Sequence, residues 1–499
     1  MPEGTRVKVA VRFPSFVSAD WQERCLATLA SVGEIEITAL TGATDSADLI
    51  LDLSTGTIDP RQLTGPKLGY WTFVYGEEPE RIDPGLAEFV AGSRAAYIRL
   101  VRLNRANSAT VLCEGAVKVV SHSLQATRRR LLEAALDWPA RQLKETLRQT
   151  PRNTLPTVNL RQRGSVARGL LRMSWAVAWI RNVLTRLAQE ITREHWAIGV
   201  IAEPIQEVCR AFDPAKIRWF PPPPEGFLAD PFGLARPDGT LVIMAESLSW
   251  QDGRGRIVAF EAQPNGILTP PRDVFAFASH ASYPQLIEYQ GDIYCVPETL
   301  AQRRVQLFRA DPFPHRWLPD TVLLEDFAGA DATVHFHAGR WWLFVGNHED
   351  QDETKLFVFH APRLRGPWVP HAANPVKCDL RSARPAGSLF TMDGELYRPA
   401  QDCSLTYGGA VVINKIDRLT PEEFAEHPVK TLTPSAQSPY PHGLHTLSGV
   451  GNVTLVDGKR HAISAASVTT YLQRCGRQLN HKLNVARRVV PRKGVERSS

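Results

Sequence analysis

Asp238-Gly239-Thr240-Leu241-Val242-Ile243-Met244-Ala245-Glu246 joins a tight turn, with glycine where positive φ is needed, to a short apolar strand. The chain repeats this unit. Gly291-Asp292 precedes Ile293 to Glu298, Gly339-Arg340 precedes Trp341 to Asn347, Asp393-Gly394 precedes Glu395 to Asp402, and Asp457-Gly458 precedes Lys459 to Ala465. Successive glycines are 52, 48, 55 and 64 residues apart, close to the length of a propeller blade. One such sheet cannot bury both its faces, so five packed radially are expected. The reading is a five-bladed β-propeller over residues 195–472.

Outside that stretch the chain is long enough for more than one core. At 499 residues, with 43% hydrophobic and 22% charged residues, it reads as a multidomain globular protein. Seven cysteines without a Cys-x-x-Cys pair argue against a disulfide framework and a zinc ribbon. Met1 to Val11 lacks the charged-then-apolar pattern of a secretion signal. The most apolar window, Gly169 to Ile191, is interrupted by Arg172, Arg181 and Arg186, so no membrane span is expected. These features predict a cytoplasmic protein. The net charge of +6 is concentrated in a basic tail, residues 473–499, where eight Lys and Arg face Glu496 alone. A second basic run lies between Arg128 and Arg186. Such runs predict peripheral contact with an anionic membrane surface, and no motif for nucleic acid accompanies them.

Ahead of the propeller, Val7 to Arg12, Glu34 to Ala39 and Leu49 to Leu53 read as strands and Ala19 to Ser31 as an amphipathic helix. This alternation predicts a small α/β domain over residues 1–122 with parallel strands, whose ligand edge holds Ser54-Thr55-Gly56 and Gly69 to Gly76. Gln125 to Leu147 and Ser165 to Glu194 have helical spacing, which predicts a helical connector over 123–194. Trp196 to Val200 reads as the strand that enters the propeller.

Carboxylates recur in phase with the blades. The first opens with Ala229-Asp230-Pro231-Phe232, the second carries Ser282-Tyr283-Pro284 and Pro297-Glu298, and the third carries Asp331-Ala332-Thr333. Innermost strands of a propeller line one funnel, so Asp230, Glu298 and Asp331 are expected to converge there as catalytic residues. Glycosidic chemistry needs such a set, one carboxyl held neutral as acid and another ionised as base or nucleophile. Blade four supplies Arg381, Arg384, Arg398, Gln401, Asp402 and Tyr407; blade five supplies His442 and His445. With Tyr283 these are the candidate substrate-binding residues. The three arginines suit a phosphate or carboxylate, or equally an Arg–Asp network that braces the ring. Two His at this spacing without a nearby Cys are not read as a metal site, and no cofactor is expected.

Two resemblances attach to these motifs. Asp48 to Leu53, Gly69 to Gly76, Pro84-Gly85 with Glu88, and Val111 to Gly115 resemble the N-terminal domain of tetrahydrofolate-dependent formyltransferases. That family's Asn-x-His signature is replaced by Trp71, Phe73 and Tyr75, which implies a degenerate scaffold or docking module. Ala229 to Phe232, Pro297-Glu298, Asp331 to Thr333, Arg381 to Gly387, Tyr397 to Ser404 and Gly443 to Thr446 resemble the N-terminal domain of plant glucosamine inositolphosphorylceramide transferases and bacterial relatives. The Ala-Asp-Pro opening is also similar to family 43 glycoside hydrolases, which are five-bladed propellers with an Asp base, a second Asp and a Glu acid. This resemblance implies Asp230 as base, with Asp331 and Glu298 in the other two roles but in a different order. The plant proteins carry a separate glycosyltransferase domain, for which this chain offers no counterpart. The expected function is a carbohydrate-active enzyme of glycosidase or glycosyltransferase type. It would make or break a glycosidic bond on a polysaccharide or glycolipid in cell-envelope glycan biosynthesis, with a sugar that carries phosphate as one option. A non-catalytic glycan-binding module and a formyltransferase acting on an amino sugar nucleotide are the alternatives.

Overall fold

A computed structural model describes residues 6–40, 47–54, 65–105, 108–148, 156–160, 174, 177–182, 184–185, 192–263 and 268–462. Strands β1 (Val7–Arg12), β2 (Ile35–Ala39), β3 (Leu49–Asp52) and β4 (Gly69–Tyr75) run parallel in the order β2-β1-β3-β4. β5 (Ala95–Arg105), β6 (Ser108–Lys118) and β7 (Thr157–Asn159) extend the sheet antiparallel. Helix α1 (Ala19–Ala30) starts at Ser18, whose hydroxyl accepts the Trp21 N–H, and buries Trp21, Cys25 and Leu29 against the sheet.

The connector expected over 123–194 is not separate in its first part. A short helix α2 (Leu86–Ala91) follows β4, and helices α3 (Leu124–Ala134) and α4 (Trp138–Leu147) put Leu131, Leu132, Trp138 and Leu143 into the same core as β1, β3 and β4, while β7 pairs with β6. Their apolar stripes need a surface to cover, and the sheet provides it. The helix expected from Ser165 onward lies partly outside the described residues; 177–182 and 184–185 are helical, and a strand has begun by Arg193. Among the described residues no helix is long and apolar enough to cross a membrane. The basic tail lies outside the described residues.

The propeller has five blades. Their first strands are Gly226–Ala235, Ser282–Tyr289, Gly329–His337, Phe390–Met392 and Leu447–Val450. Their second strands are Leu241–Ser249, Asp292–Glu298, Arg340–Asn347, Glu395–Asp402 and Val453–Ala462. Further antiparallel strands complete each sheet. Each adjacent pair of blades shares its own apolar seam: Met244, Ile257 and Cys295 between one and two, Val296, Leu343 and Val345 between two and three, Phe344, Leu356 and Leu396 between three and four. The remaining seams hold Val411, Leu447 and Val456, and Ile198, Ile243 and Leu455. Each such side chain contributes ~1.5–3 kcal/mol when buried, so the ring holds together through nearest-neighbour seams.

Four of the five expected turns are turns, with Gly239, Gly291, Gly339 and Gly394 at φ 77–86°. The fifth is not. Asp457-Gly458 lies inside the strand Val453–Ala462, and the hairpin turns at Gly451, where Val450 pairs with Val453. The strand Arg193–Ile201 does not simply enter the propeller: it pairs antiparallel with Val453–Ala462 along nine residues, Arg193 with Ala462 through Ile201 with Thr454. Ends distant in sequence thus close the ring.

The N-terminal sheet docks on blades three and four. Leu380 N–H donates to Ala116 O at 2.7 Å, Arg141 reaches Ala373 O and Pro375 O, and Glu353 pairs with Arg94 and Lys118. Gly115 is required here, because a Cβ would sit 2.1 Å from Cys378 O.

Candidate functional site

The first strands of blades one, two and three each break register at one place: between Ala229 and Phe232, Ser282 and Gln285, and Ala330 and Thr333. The bulged residues Asp230, Tyr283 and Asp331 have φ of 52°, 46° and 51°. A non-glycine residue in this region costs of order 1–3 kcal/mol, and bulges re-aim side chains. The cost is met at the same position in three blades, and it turns two carboxylates and a phenol toward the axis.

Register also defines a second set. The residue paired just ahead of the bulge is Glu246 in blade one and Glu298 in blade two. Glu298 is therefore the counterpart of Glu246, not of Asp230 and Asp331 with which the sequence grouped it. In blade four Gln401 N–H donates to Arg384 O beside the Pro385–Ala400 bridge, and in blade five Asp457 follows Val456, which pairs with Leu447. Asp230, Glu246, Glu298, Asp331 and Asp457 are all less than 8% exposed.

Most of these acids hold neighbouring blades together. Asp457 Oδ2 accepts the Asp230 N–H at 3.1 Å, Asp230 Oδ2 accepts the Tyr283 N–H at 3.3 Å, and Glu298 Oε2 accepts the Asp331 N–H at 2.9 Å. Asp331 Oδ2 takes Arg384 Nε at 2.6 Å and Gln401 Nε2 at 2.8 Å. Tyr283 Oη contacts Thr333 Oγ1 at 2.9 Å and accepts the Gly387 N–H at 2.6 Å. Glu246 differs. Among the described residues it has no hydrogen bond, and its ion-pair contact is His280 Nε2 at 3.4 Å. His280 Nδ1 accepts the Gly255 N–H, so the proton of the neutral ring lies on Nε2, facing Glu246.

Proton affinities diverge accordingly. Burial, with Asp230, Glu298 and other funnel charges added, drives the Glu246 carboxyl well above its ordinary value. Burial raises Asp331 to about 7, against the pull of Arg384. Burial also raises Asp230 to about 6, with His445 opposing. Asp457 is also pulled up by burial, but the His445 charge and the backbone N–H groups of His445, Thr446 and Asp230 outweigh it and hold the carboxyl low. Burial pulls His445 down, but Asp457 and Asp230 outweigh it and raise it.

His445 stacks on Trp196 at 3.9 Å between two acids, with Nε2 3.4 Å from Asp230 and Nδ1 2.5 Å from Asp457. The Asp457 contact is an ion pair without hydrogen-bond alignment. The donor atoms of Asp230, His445 and Asp457 lie within 4.8 Å of one another, a set not read from the sequence that could hold a metal ion. The imidazole would have to shed the proton that these acids stabilise, and both Asp457 oxygens already accept N–H groups.

Of the candidates read from sequence, the structure gathers Asp230, Glu298, Asp331, Tyr283, Arg384, Gln401, Tyr407 and His445. Tyr407 lies under the Arg384 guanidinium at 5.4 Å and edge-on to His445. It leaves out four. Arg398 is fully buried away from the funnel, with Glu426 at 2.6 Å and the carbonyls of Ser382 and Ala383. Arg381 spans Asp379 and Glu114 at the domain junction. Asp402 accepts the Ser404 N–H, and His442 stacks on His461 at 4.9 Å. The three arginines are thus matched to carboxylates, in the bracing arrangement and not the phosphate-binding one, though with Asp331 and Glu426 as partners beside Asp379. Glu246 and Asp457 were missed: one ended a strand without a proline to mark it, and the other was hidden in a false turn.

Fold and site together define a five-bladed propeller with a carboxylate-rich funnel. Residues 191–439 match the family described as Glucosamine inositolphosphorylceramide transferase 1, N-terminal. Over 212 residues the chain is 35% identical to Glucosamine inositolphosphorylceramide transferase 1 of Oryza sativa subsp. japonica, covering 41% of this chain and 28% of that protein. Over 209 residues it is 34% identical to the protein of the same name in Arabidopsis thaliana, covering 41% and 27%. The chain therefore spans little more than a quarter of the length of these relatives. Among solved structures it is similar to an exo-β-1,3-galactanase from Clostridium thermocellum (TM-score 0.34, 10% identity, 43% of this chain and 52% of that one). It is also similar to a family 117 glycoside hydrolase from Zobellia galactanivorans (TM-score 0.34, 10% identity, 48% and 85%).

Proposed function

We propose that the funnel acts on a glycosidic bond of a glycan or glycolipid, with Glu246 as proton donor and Asp230 as base or nucleophile. The observation that carries this reading is the exception in the ring. Glu246 is the acid of its set that braces no neighbouring blade, and burial among other acids pushes its carboxyl well above its ordinary value, the direction a general acid requires. Asp230, on the paired strand, titrates near neutrality under the His445–Asp457 pair, which suits a base. The glycolipid context follows from the names of the plant relatives.

The test is turnover on glycan and glycolipid acceptors and on an aryl glycoside with a good leaving group. Glu246→Gln is expected to lose ~10²–10⁴-fold on ordinary leaving groups and far less on the aryl glycoside, which needs no protonation. Asp230→Asn is expected to lose both. Unchanged turnover in either variant overturns the assignment. A second reading, a glycan-binding module, is favoured by the blade-to-blade bonds of Asp457, Asp230 and Glu298. It predicts that the intact chain binds glycan without turning it over.

A further inference from the structure

Away from the propeller, the carboxyl edge of the parallel strands gathers an unusual set of polar groups. In the order β2-β1-β3-β4, β1 is followed in the chain by its neighbour on one side and β3 by its neighbour on the other, and the crevice at the carboxyl ends of β1 and β3 is where open α/β sheets take their ligands. Arg12 ends β1, Asp52 ends β3 and Tyr75 ends β4.

Asp52 is fully buried and ionised. Ser54 N–H and hydroxyl donate to one oxygen; the Tyr70 hydroxyl and Arg81 Nη2, at 3.1 Å, donate to the other. Burial works to raise its carboxyl, and these partners more than offset it, so it stays below the usual range. Arg12 adds a longer ion pair at 3.8 Å. This arrangement fixes Arg81 by one nitrogen only. Its side chain is 10% exposed, Nη2 also reaches Ser54 O at 2.6 Å, and Nε and Nη1 are buried with no partner among the described residues. The Tyr75 hydroxyl and Arg128 Nε on α3 are likewise buried without a partner among the described residues. Tyr75 pairs with Glu80, the neighbour of Arg81, across an antiparallel bridge, and a Cβ on Gly85 of the same loop would sit 2.8 Å from Thr127, the neighbour of Arg128 on α3. Glu80 and Asp83 of the same loop each have a partner of their own.

A buried guanidinium with two idle nitrogens, a second arginine and an idle phenol are all donors, and a donor set without an acceptor is incomplete. We propose that this edge of the N-terminal sheet binds a small oxyanion, the phosphate or carboxylate of a metabolite, on Arg81, Arg128 and Tyr75. Arg81 Nε and Nη1 lie on opposite edges of the guanidinium, so one of them gives the anion a single charge-assisted hydrogen bond, Asp52 holds the group in place through Nη2, and the Tyr75 hydroxyl and Arg128 Nε donate the others.

The experiment is isothermal titration of the full chain with inorganic pyrophosphate and, separately, malonate at fixed ionic strength. The two arms tell phosphate from carboxylate recognition. Saturable binding of at least one is expected. Because Arg81 also supports Asp52, the decisive variants are Tyr75→Phe and Arg128→Gln, which leave that pair intact. Tyr75→Phe is expected to weaken binding about 5–10-fold and Arg128→Gln ~10-fold or more. Absence of saturable binding by either anion overturns the proposal. So does a Tyr75→Phe variant that melts higher than the parent yet binds as before, since its hydroxyl is then merely stranded and the anion sits elsewhere.

Discussion

Two buried arginines of blade four do opposite things with the same chemistry. Arg398 meets Glu426 through two bonds, Lys377 joins them at 2.7 Å, and the carboxyl, which burial alone would raise, is held at about 2. Arg384, in the funnel, faces Asp331, Asp352 and Glu298 at once, and Asp331 is nevertheless pushed up to about 7. Where cations match anions, buried charge is inert. Where acids outnumber them, some acids must keep a proton, and those are the ones available for proton transfer.

The widest separation between the two sites is expected from Arg398→Met. It leaves the buried Glu426 with Lys377 alone and is expected to cost about 3 kcal/mol in denaturant unfolding, the low end for breaking a buried pair because Lys377 stays. Asp331→Asn is expected to cost about 1 kcal/mol or less in the same measurement near pH 7, because roughly half of Asp331 is already protonated there and Arg384 keeps Asp352. Equal losses would erase the distinction.

A pH series sharpens it next. Asp230 and Asp331 have folded values of about 6 and 7, above the unfolded value near 4, so the native state binds the extra protons. Their contribution to stability is present at about pH 4 and falls as pH rises to 7. Glu426, lowered to about 2, contributes stability that is present above about pH 4.5 and lost as pH falls toward 2. From these groups the thermal midpoint is expected to peak near pH 4, and the Asp230→Asn, Asp331→Asn pair is expected to flatten the decline toward pH 8. A midpoint that rises steadily to pH 8 and is untouched by the pair contradicts this. The smallest effect on the pH profile is expected from Tyr283→Phe. Loss of the Thr333 contact and of the acceptor for Gly387 N–H should cost ~1–2 kcal/mol, with less change to the pH profile than either aspartate.

Much of this was legible in the sequence because the propeller is periodic and its signal is local. Four glycine turns are where the repeat places them, and Asp230 and Asp331 share a bulge. What stayed hidden depends on register. Asp457-Gly458 has the composition of a turn, yet its partner is the strand from Arg193 to Ile201, which no local pattern announces. Glu246 and Glu298 became equivalent only when each was seen opposite the residue ahead of the bulge. Arg398 was misplaced for a similar reason: adjacent positions of a strand face opposite ways.

The fifth blade has a further consequence for how the molecule is made. Ile201 is synthesised about 250 residues before Thr454, its partner across the closing sheet. At ~5–20 residues per second the ribosome leaves that early strand without its mate for roughly 12–50 s. During this interval the growing chain carries an exposed edge able to pair with the wrong neighbour. Dependence on holding chaperones should therefore be set by the codons for Val453–Ala462.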